Sequence, residues 1–292
     1  MRSIDIKMNT KIKIGIFDSG IGGITVLKEI IKILPNEQYV YYSDSKNNPY
    51  GDKPKVEIKK ICDKICRHLL QKGCNVIVIA CNTASAVSAK FLRNKYKDIP
   101  IIAIEPAYKM VHDYAPNGRT LVMATQGTIK SEKFNLLFKK YNNHKTKLLA
   151  CSGLADIIEE CNNQKVEKYL DEEIGSLKGK IDNVVLGCTH YPLVQNEIAK
   201  ILGNVKFFNG ATGLAIHLKD VLKENNLLEN EVVENNILEK ESPKKNEILK
   251  NIQMTNETKI KIEFEDSSKD KKKEQRFFDL LWVMFRRIYI KK

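Results

Sequence analysis

Short apolar runs alternate along the chain with longer segments whose apolar residues recur every three to four positions. Ile12–Phe17 reads as a buried strand, Gly20-Ile21-Gly22-Gly23 as a turn, and Ile24–Leu34 as a helix stopped by Pro35. Tyr39–Tyr42 is a second strand. Val56–Leu70 places Ile58, Ile61, Cys62, Ile65, Cys66 and Leu69 on one helix face, and Gly73 follows where a terminating glycine belongs. Val76–Ala80 is a strand and Ala84–Tyr96 a helix. Further strands are expected at Ile101–Ile104, Leu121–Ala124, Leu148–Ala150, Val184–Leu186 and Val205–Phe208, with helices between them. Wholly apolar strands separated by amphipathic helices form parallel sheets covered on both faces, so the fold class is α/β.

From about Glu224 the composition shifts to Lys, Glu and Asn. The stretch ENNLLENEVVENNILEKESPKKNE predicts a helix and then a solvated loop. Thr258–Phe264 alternates as an edge strand would, and Gln275–Tyr289 closes the chain as a helix.

Two segments resemble each other. Asn75–Ser85 reads NVIVIACNTAS and Asn183–Leu193 reads NVVLGCTHYPL; each runs Asn, apolar strand, small residue, Cys, then Thr. The two cysteines lie roughly one domain length apart, and 292 residues fit two domains of about 100–150 each. Two related α/β halves, each offering a cysteine, are expected.

Composition adds exclusions. Seven cysteines, an odd number with no C-x-x-C, argue against a disulfide framework and against a zinc knuckle. Met1–Lys13 has no apolar core for a signal sequence, and no apolar run approaches the roughly 20 residues of a membrane span. A cytoplasmic protein without a membrane partner is expected. The net charge of +13 is mostly Lys spread along the chain, which makes nucleic acid a poor candidate for the main partner.

The candidate chemistry lies at strand ends. Cys81 directly follows VIVIA and Cys188 directly follows VVLG. Ligands of open parallel sheets bind at the carboxyl ends of strands, and a helix N-terminus there favours thiolate over thiol. A helix is expected directly after each cysteine, with Pro192 in the first turn of the second. Cys62 and Cys66, one turn apart on an apolar face, read as core, as does Cys74. Asp18-Ser19 ends the first strand as a cap or a site pair. Gly20-Ile21-Gly22-Gly23 matches neither a dinucleotide fingerprint nor a Walker A loop. Pro49-Tyr50-Gly51 and Thr125-Gln126-Gly127-Thr128 form polar loops that would join the cysteine loops around one site rich in hydroxyls and N–H groups. Such a site suits a zwitterion carrying carboxylates.

The motifs IFDSGIGG, SDSKNNPYG, ACNTAS and GCTHYPL, in this order, resemble the glutamate racemase family of the aspartate/glutamate racemase superfamily. The resemblance covers roughly Ile12–Leu214. It implies two pseudo-symmetric domains, each a parallel-rich sheet flanked by helices, with the active site between them. Residues 1–102 plus 211–292 would form the domain carrying Cys81, and residues 103–210 the domain carrying Cys188. It also implies cofactor-independent interconversion of L- and D-glutamate, supplying D-glutamate for peptidoglycan and the cell wall. By that resemblance Cys81 acts on D-glutamate and Cys188 on L-glutamate, with Asp18 assisting the first, His190 the second, and Glu159 in ACSGLADIIEE supporting His190. Asp18, Ser19, Pro49, Tyr50, Gly51, Asn82, Thr83, Thr125, Thr128, Thr189 and His190 would hold the substrate, with no metal. A homodimer is left open. The sequence departs from the family at Asn209-Gly210, in the proline-free loop before Glu159, and over its last 70 residues. The alternatives are another racemase of the superfamily, acting on aspartate or a cyclic substrate, and a nucleic-acid-binding protein.

Overall fold

The structure is a computed structural model that describes residues 11–228, 260–285 and 290–291. The chain starts with β1 (Lys13–Asp18), α1 (Ile24–Ile33), β2 (Gln38–Ser43), α2 (Lys55–Gln71), β3 (Val76–Ile79), α3 (Asn82–Lys95) and β4 (Ile101–Ala103). It continues with α4 (Tyr108–Tyr114), β5 (Thr120–Ala124), α5 (Gln126–Ile129), α6 (Glu132–Tyr141), β6 (Thr146–Ala150), α7 (Leu154–Glu159) and α8 (Asn163–Ile174). Then come β7 (Asn183–Gly187), α9 (Gln195–Leu202), β8 (Lys206–Phe208), α10 (Ala211–Glu224), β9 (Ile260–Asp266), α11 (Lys271–Phe285) and β10 (Ile290–Lys291).

The strands form two parallel sheets, ordered β10-β9-β2-β1-β3-β4 and β6-β5-β7-β8. Strands β2-β1-β3-β4 of the first sheet and β6-β5-β7-β8 of the second follow the same order, second-first-third-fourth, so β1 corresponds to β5 and β3 to β7. The fold is α/β with parallel sheets flanked by helices, as the alternating pattern predicts. The weak internal repeat is the trace of this topology: NVIVIAC ends β3 and NVVLGC ends β7.

The central strands of each sheet are buried on both faces, which is why β1, β3, β5 and β7 carry no polar alternation. On the first sheet Ile14, Ile16, Val76 and Val78 face one apolar layer, which includes Leu214, Leu218 and Leu222 of α10 and Phe277 and Leu281 of α11. Phe17, Ile77 and Ile79 face the other, with Cys62, Cys66 and Leu69 of α2, so these cysteines and Cys74 are core residues as expected. The second sheet buries Leu121, Met123, Val184 and Leu186 toward α7, α8 and α9, and Val122 and Val185 toward α4 and α6.

The segment after β8 returns to the first sheet. α10 lies against α1 and β4, and α11 against α1 and β9. Where an edge strand is expected, β9 runs beside β2 over Ile260–Asp266, and the two-residue β10 covers part of its other side. The expected helix and loop after Glu224 fall largely on residues outside those described, as do Met1–Thr10 and the final helix beyond Phe285. Among the described residues no helix is long and apolar enough to cross a membrane.

Leu218→Ala should cost about 2–5 kcal/mol of stability in urea unfolding, because it empties a fully buried position between α10 and the first sheet. Leu136→Ala, at a position 63% exposed, should change stability by less than about 0.5 kcal/mol. Equal effects would contradict the packing of α10.

Candidate active site

Residues that follow β1, β2, β3, β5, β6 and β7 line one cavity of about 50 Å³, so the carboxyl ends of both sheets meet there. Cys81 and Cys188 both line it, and each is nearly buried.

Cys81 is the N-cap of α3. Its sulfur accepts from the Ala84 N–H at 3.5 Å and donates to Ser19 Oγ at 3.7 Å. Behind Ser19 the Asp18 carboxylate is fully buried; Oδ2 accepts from Gly23 N at 2.8 Å and from Thr189 Oγ1 at 3.1 Å. Asp18 therefore both caps the turn before α1 and reaches the opposite sheet's loop. Burial pushes its carboxyl above the usual range, although the charge of His190 and the Gly23 and Thr189 bonds oppose the rise. Burial, and next the Asp18 charge, also hold the Cys81 thiol well above its ordinary value. The helix N-terminus expected beside this sulfur is present, but desolvation outweighs its Ala84 N–H.

Cys188 is placed differently. β7 ends at Gly187, a 3₁₀ turn covers Tyr191–Val194 with Pro192 inside it, and α9 starts only at Gln195. The α-helix expected after Cys188 therefore begins only beyond this turn. The partner of Cys188 is His190, whose Nδ1 lies 3.7 Å from Sγ. The ring's Nε2 donates to Glu159 Oε1 at 2.8 Å, and the same oxygen accepts from the Ile21 N–H at 2.8 Å. Burial alone would depress the imidazole, but hydrogen bonds to Cys188 and Glu159 outweigh it and hold His190 well above 6.5. Burial raises Glu159, yet the bond to His190 and its charge bring the carboxyl below 4.5.

The glycines of the first turn are explained here. A Cβ on Gly22 would sit 2.5 Å from His190 Nδ1, and one on Gly20 would sit 2.2 Å from Glu159 Oε1. The turn is bare because a histidine and a carboxylate from the other sheet occupy the space.

Ser19, Pro49, Tyr50, Gly51, Asn82, Thr83, Thr125, Thr189 and His190 line the cavity as anticipated. Asp18, Glu159 and Thr128 do not. Asp18 stands behind Ser19 and Thr189, Glu159 behind His190, and Thr128 behind Thr83 and Thr125, whose hydroxyls bond across the cleft at 2.9 Å. Tyr50 spends its hydroxyl on Asp44 Oδ2 at 2.5 Å. The sequence reading missed Asn48, whose Nδ2 donates to Asp156 Oδ1 across the cavity at 2.9 Å. Asp156 precedes Glu159 by three residues, the spacing that puts both on one helix face, and this was the available signal. Among the described residues lining the cavity there is no Lys or Arg. Among the described residues no group of three or more His, Cys, Asp or Glu is arranged to hold a metal.

The Asp/Glu/Hydantoin racemase family model matches residues 24–215. The glutamate racemase of Clostridium novyi (strain NT) is 45% identical over 224 residues, covering 75% of this chain and 86% of that protein. The solved glutamate racemase of Francisella tularensis subsp. tularensis SCHU S4, in complex with D-glutamate, superposes with TM-score 0.70 at 29% identity over 97% of this chain and 98% of its own. The glutamate racemase of Bacillus anthracis gives TM-score 0.73 at 26% identity over 98% of each chain.

The two shifted groups set a pH window for stability. His190 is raised, so its contribution is complete below 6.5 and is lost as pH climbs through the raised value. Glu159 is lowered, so its contribution is complete above 4.5 and is lost as pH falls. The Tm difference between wild type and His190→Gln should therefore be greatest between 4.5 and 6.5 and narrow on both sides. A difference that widened at alkaline pH would show that the imidazole is not held protonated.

Proposed function

The chain belongs to the Asp/Glu/hydantoin racemase family, among its glutamate racemases, and from that membership we propose that it interconverts L- and D-glutamate by proton transfer through two opposed cysteines. The observation that carries this reading is that Cys81 and Cys188, from corresponding strands β3 and β7, line one cavity, each with its own acidic partner. Inversion at the α-carbon requires removal of the proton from one face and delivery to the other, which a single base cannot do without turning over. A sulfur on each wall meets that requirement.

Cys188 takes the α-proton of L-glutamate while Cys81, a thiol at rest, delivers its proton to the opposite face; D-glutamate runs the same path backwards. Asp18 is the nearest carboxylate to the Cys81 side, and His190, oriented by Glu159, stands at Cys188. The substrate's carboxylates find no fixed cation on the walls. They meet the N-terminal end of α3, where Asn82 and Thr83 lie, and the hydroxyls of Ser19, Thr125 and Thr189. Pro49, Tyr50 and Gly51 form the wall beside Thr125 and the start of α3, and Thr128 holds Thr83 and Thr125 in place. Charge developing on the α-carboxylate is stabilised by such oriented dipoles in a site that excludes water.

Neither metal nor pyridoxal phosphate takes part in the proposed reaction. The cavity offers no lysine, among the described lining residues, for the Schiff base that pyridoxal phosphate requires. The product D-glutamate would serve peptidoglycan synthesis in the cytoplasm. The domains divide as residues 1–102 plus 211–292 and residues 103–210; the return of α10 and β9 to the first sheet supports this.

Circular dichroism of L-glutamate incubated with the protein, with aspartate and hydantoins in parallel, tests the substrate. Loss of signal with glutamate alone is expected, and turnover of aspartate or a hydantoin instead would move the chain elsewhere in the family.

Cys81→Ser and Cys188→Ser should each lower racemisation at least a hundredfold, roughly the worth of a positioned proton-transfer group. In heavy water the wild-type product should carry deuterium at its α-carbon. Loss of hydrogen chloride from a β-chlorinated glutamate needs only one base. Cys81→Ser should keep that elimination from the L-like analogue, and Cys188→Ser from the D-like one. Near-normal racemisation by both variants would return both cysteines to the core.

A further inference from the structure

The C-terminal helix reaches the active site from behind. α11 packs with the first sheet through Phe277, fully buried, stacked on Phe264 at 4.2 Å and tilted against Tyr41 at 4.8 Å between ring centroids. The residue before it, Arg276, points instead to α7, which follows the second sheet's β6. Its Nη2 donates to the Ile158 carbonyl at 2.5 Å and its Nη1 donates to the Glu159 carbonyl. α7 is only six residues long; at its end the Ile158 carbonyl accepts from Cys161 N at 3.2 Å and the Glu159 carbonyl only weakly from Cys161 Sγ at 4.0 Å, so each has capacity for a further donor. A planar guanidinium with paired donors suits two such carbonyls, and a cation at that end also complements the helix dipole.

Glu159 is thereby gripped at both ends. Arg276 holds its main-chain carbonyl, while Ile21 N and His190 Nε2 hold its carboxylate. Lys273, one turn earlier on α11, adds positive charge near the same carboxylate. The helix supports the other side of the contact too. Tyr41, against Phe277, donates its hydroxyl to the Gly20 carbonyl at 2.8 Å and so steadies the turn that presents Ile21 N.

We propose that Arg276 is a positioning residue for the Cys188 half of the reaction: it clamps the end of α7 so that Glu159 keeps the His190 ring facing Cys188. Arg276 touches neither sulfur nor cavity, and it acts through the backbone of α7. The clamp rests on the assignment of Cys188 to L-glutamate made above.

The experiment compares elimination of hydrogen chloride from L-like and D-like β-chlorinated glutamate. In each, the α-proton passes to a sulfur, its electron pair forms the Cα–Cβ double bond, and chloride leaves the β-carbon. The ratio of the two rates is read in one preparation, so it is insensitive to the fraction folded. Arg276→Ala should lower the L-like rate roughly ten- to a hundredfold, the usual consequence of a slightly misplaced catalytic group, with the D-like rate within about twofold of wild type. Arg276→Lys, which keeps the charge without the fork, should restore part of the L-like rate, and exposed Lys272→Ala should leave both rates unchanged. If both rates fall together, or the ratio in Arg276→Ala matches wild type, the clamp is overturned. Should Arg276→Ala give no folded protein, a wild-type ratio in Arg276→Lys overturns it equally. If Cys81→Ser and Cys188→Ser fail to separate the analogues, the assignment of faces fails and the clamp with it. If they separate and Arg276→Ala does not alter the ratio, only the clamp fails.

Discussion

One oxygen ties the two halves of the molecule together. Glu159 Oε1 accepts from Ile21 N on the first sheet's turn and from His190 Nε2 on the second sheet's loop. A buried carboxylate is costly unless both charge and hydrogen bonds are supplied; these two donors supply them at Oε1, while Oε2 is buried without a hydrogen bond among the described residues. The demand spreads outward from there. The turn must be glycine-rich to make room, Asp18 must take the Gly23 N–H and meet Thr189 across the cleft, and the imidazole must stay charged to balance the carboxylate. The contact that joins the two halves is therefore also the one that orients the histidine.

The repeated topology brings two equivalent strand ends together but leaves the two sulfurs in unlike surroundings. Cys81 caps a full helix and is shielded beside a buried carboxyl, whereas Cys188 precedes a 3₁₀ turn and leans on an imidazole. Two halves of common plan have each kept the cysteine and replaced what stands next to it. The hydroxyl bridge from Thr83 to Thr125 and the amide bridge from Asn48 to Asp156 also cross the cavity, and neither uses a cation.

Much of this was legible in the chain. Apolar strands of period-free character announced parallel sheets, and the two NV…C segments located the paired strand ends. The residues that line the cavity follow strands, so topology alone nominated most of them. What escaped were relations that depend on tertiary distance. Nothing local in ATQGTIK says that Thr128 backs Thr83 rather than facing the cavity, nor in SDSKNNPYG that Tyr50 turns its hydroxyl toward Asp44. The helix expected after Cys188 was misplaced because Pro192, a good first-turn residue, serves a 3₁₀ turn equally well. Burial, which no motif displays, outweighs at Cys81 the helix N-terminus that the sequence does announce.

The unlike surroundings of the two sulfurs meet a thermodynamic limit. Mirror-image substrates have equal free energy in achiral water, so the proposed reaction must show the same kcat/KM in both directions, whatever stands beside each sulfur. An imidazole on one wall and a carboxyl on the other can make kcat larger one way only by making KM larger the same way. The lopsided chemistry can then set how tightly each enantiomer is held at saturation, but never which one accumulates; that is decided by whatever consumes the product.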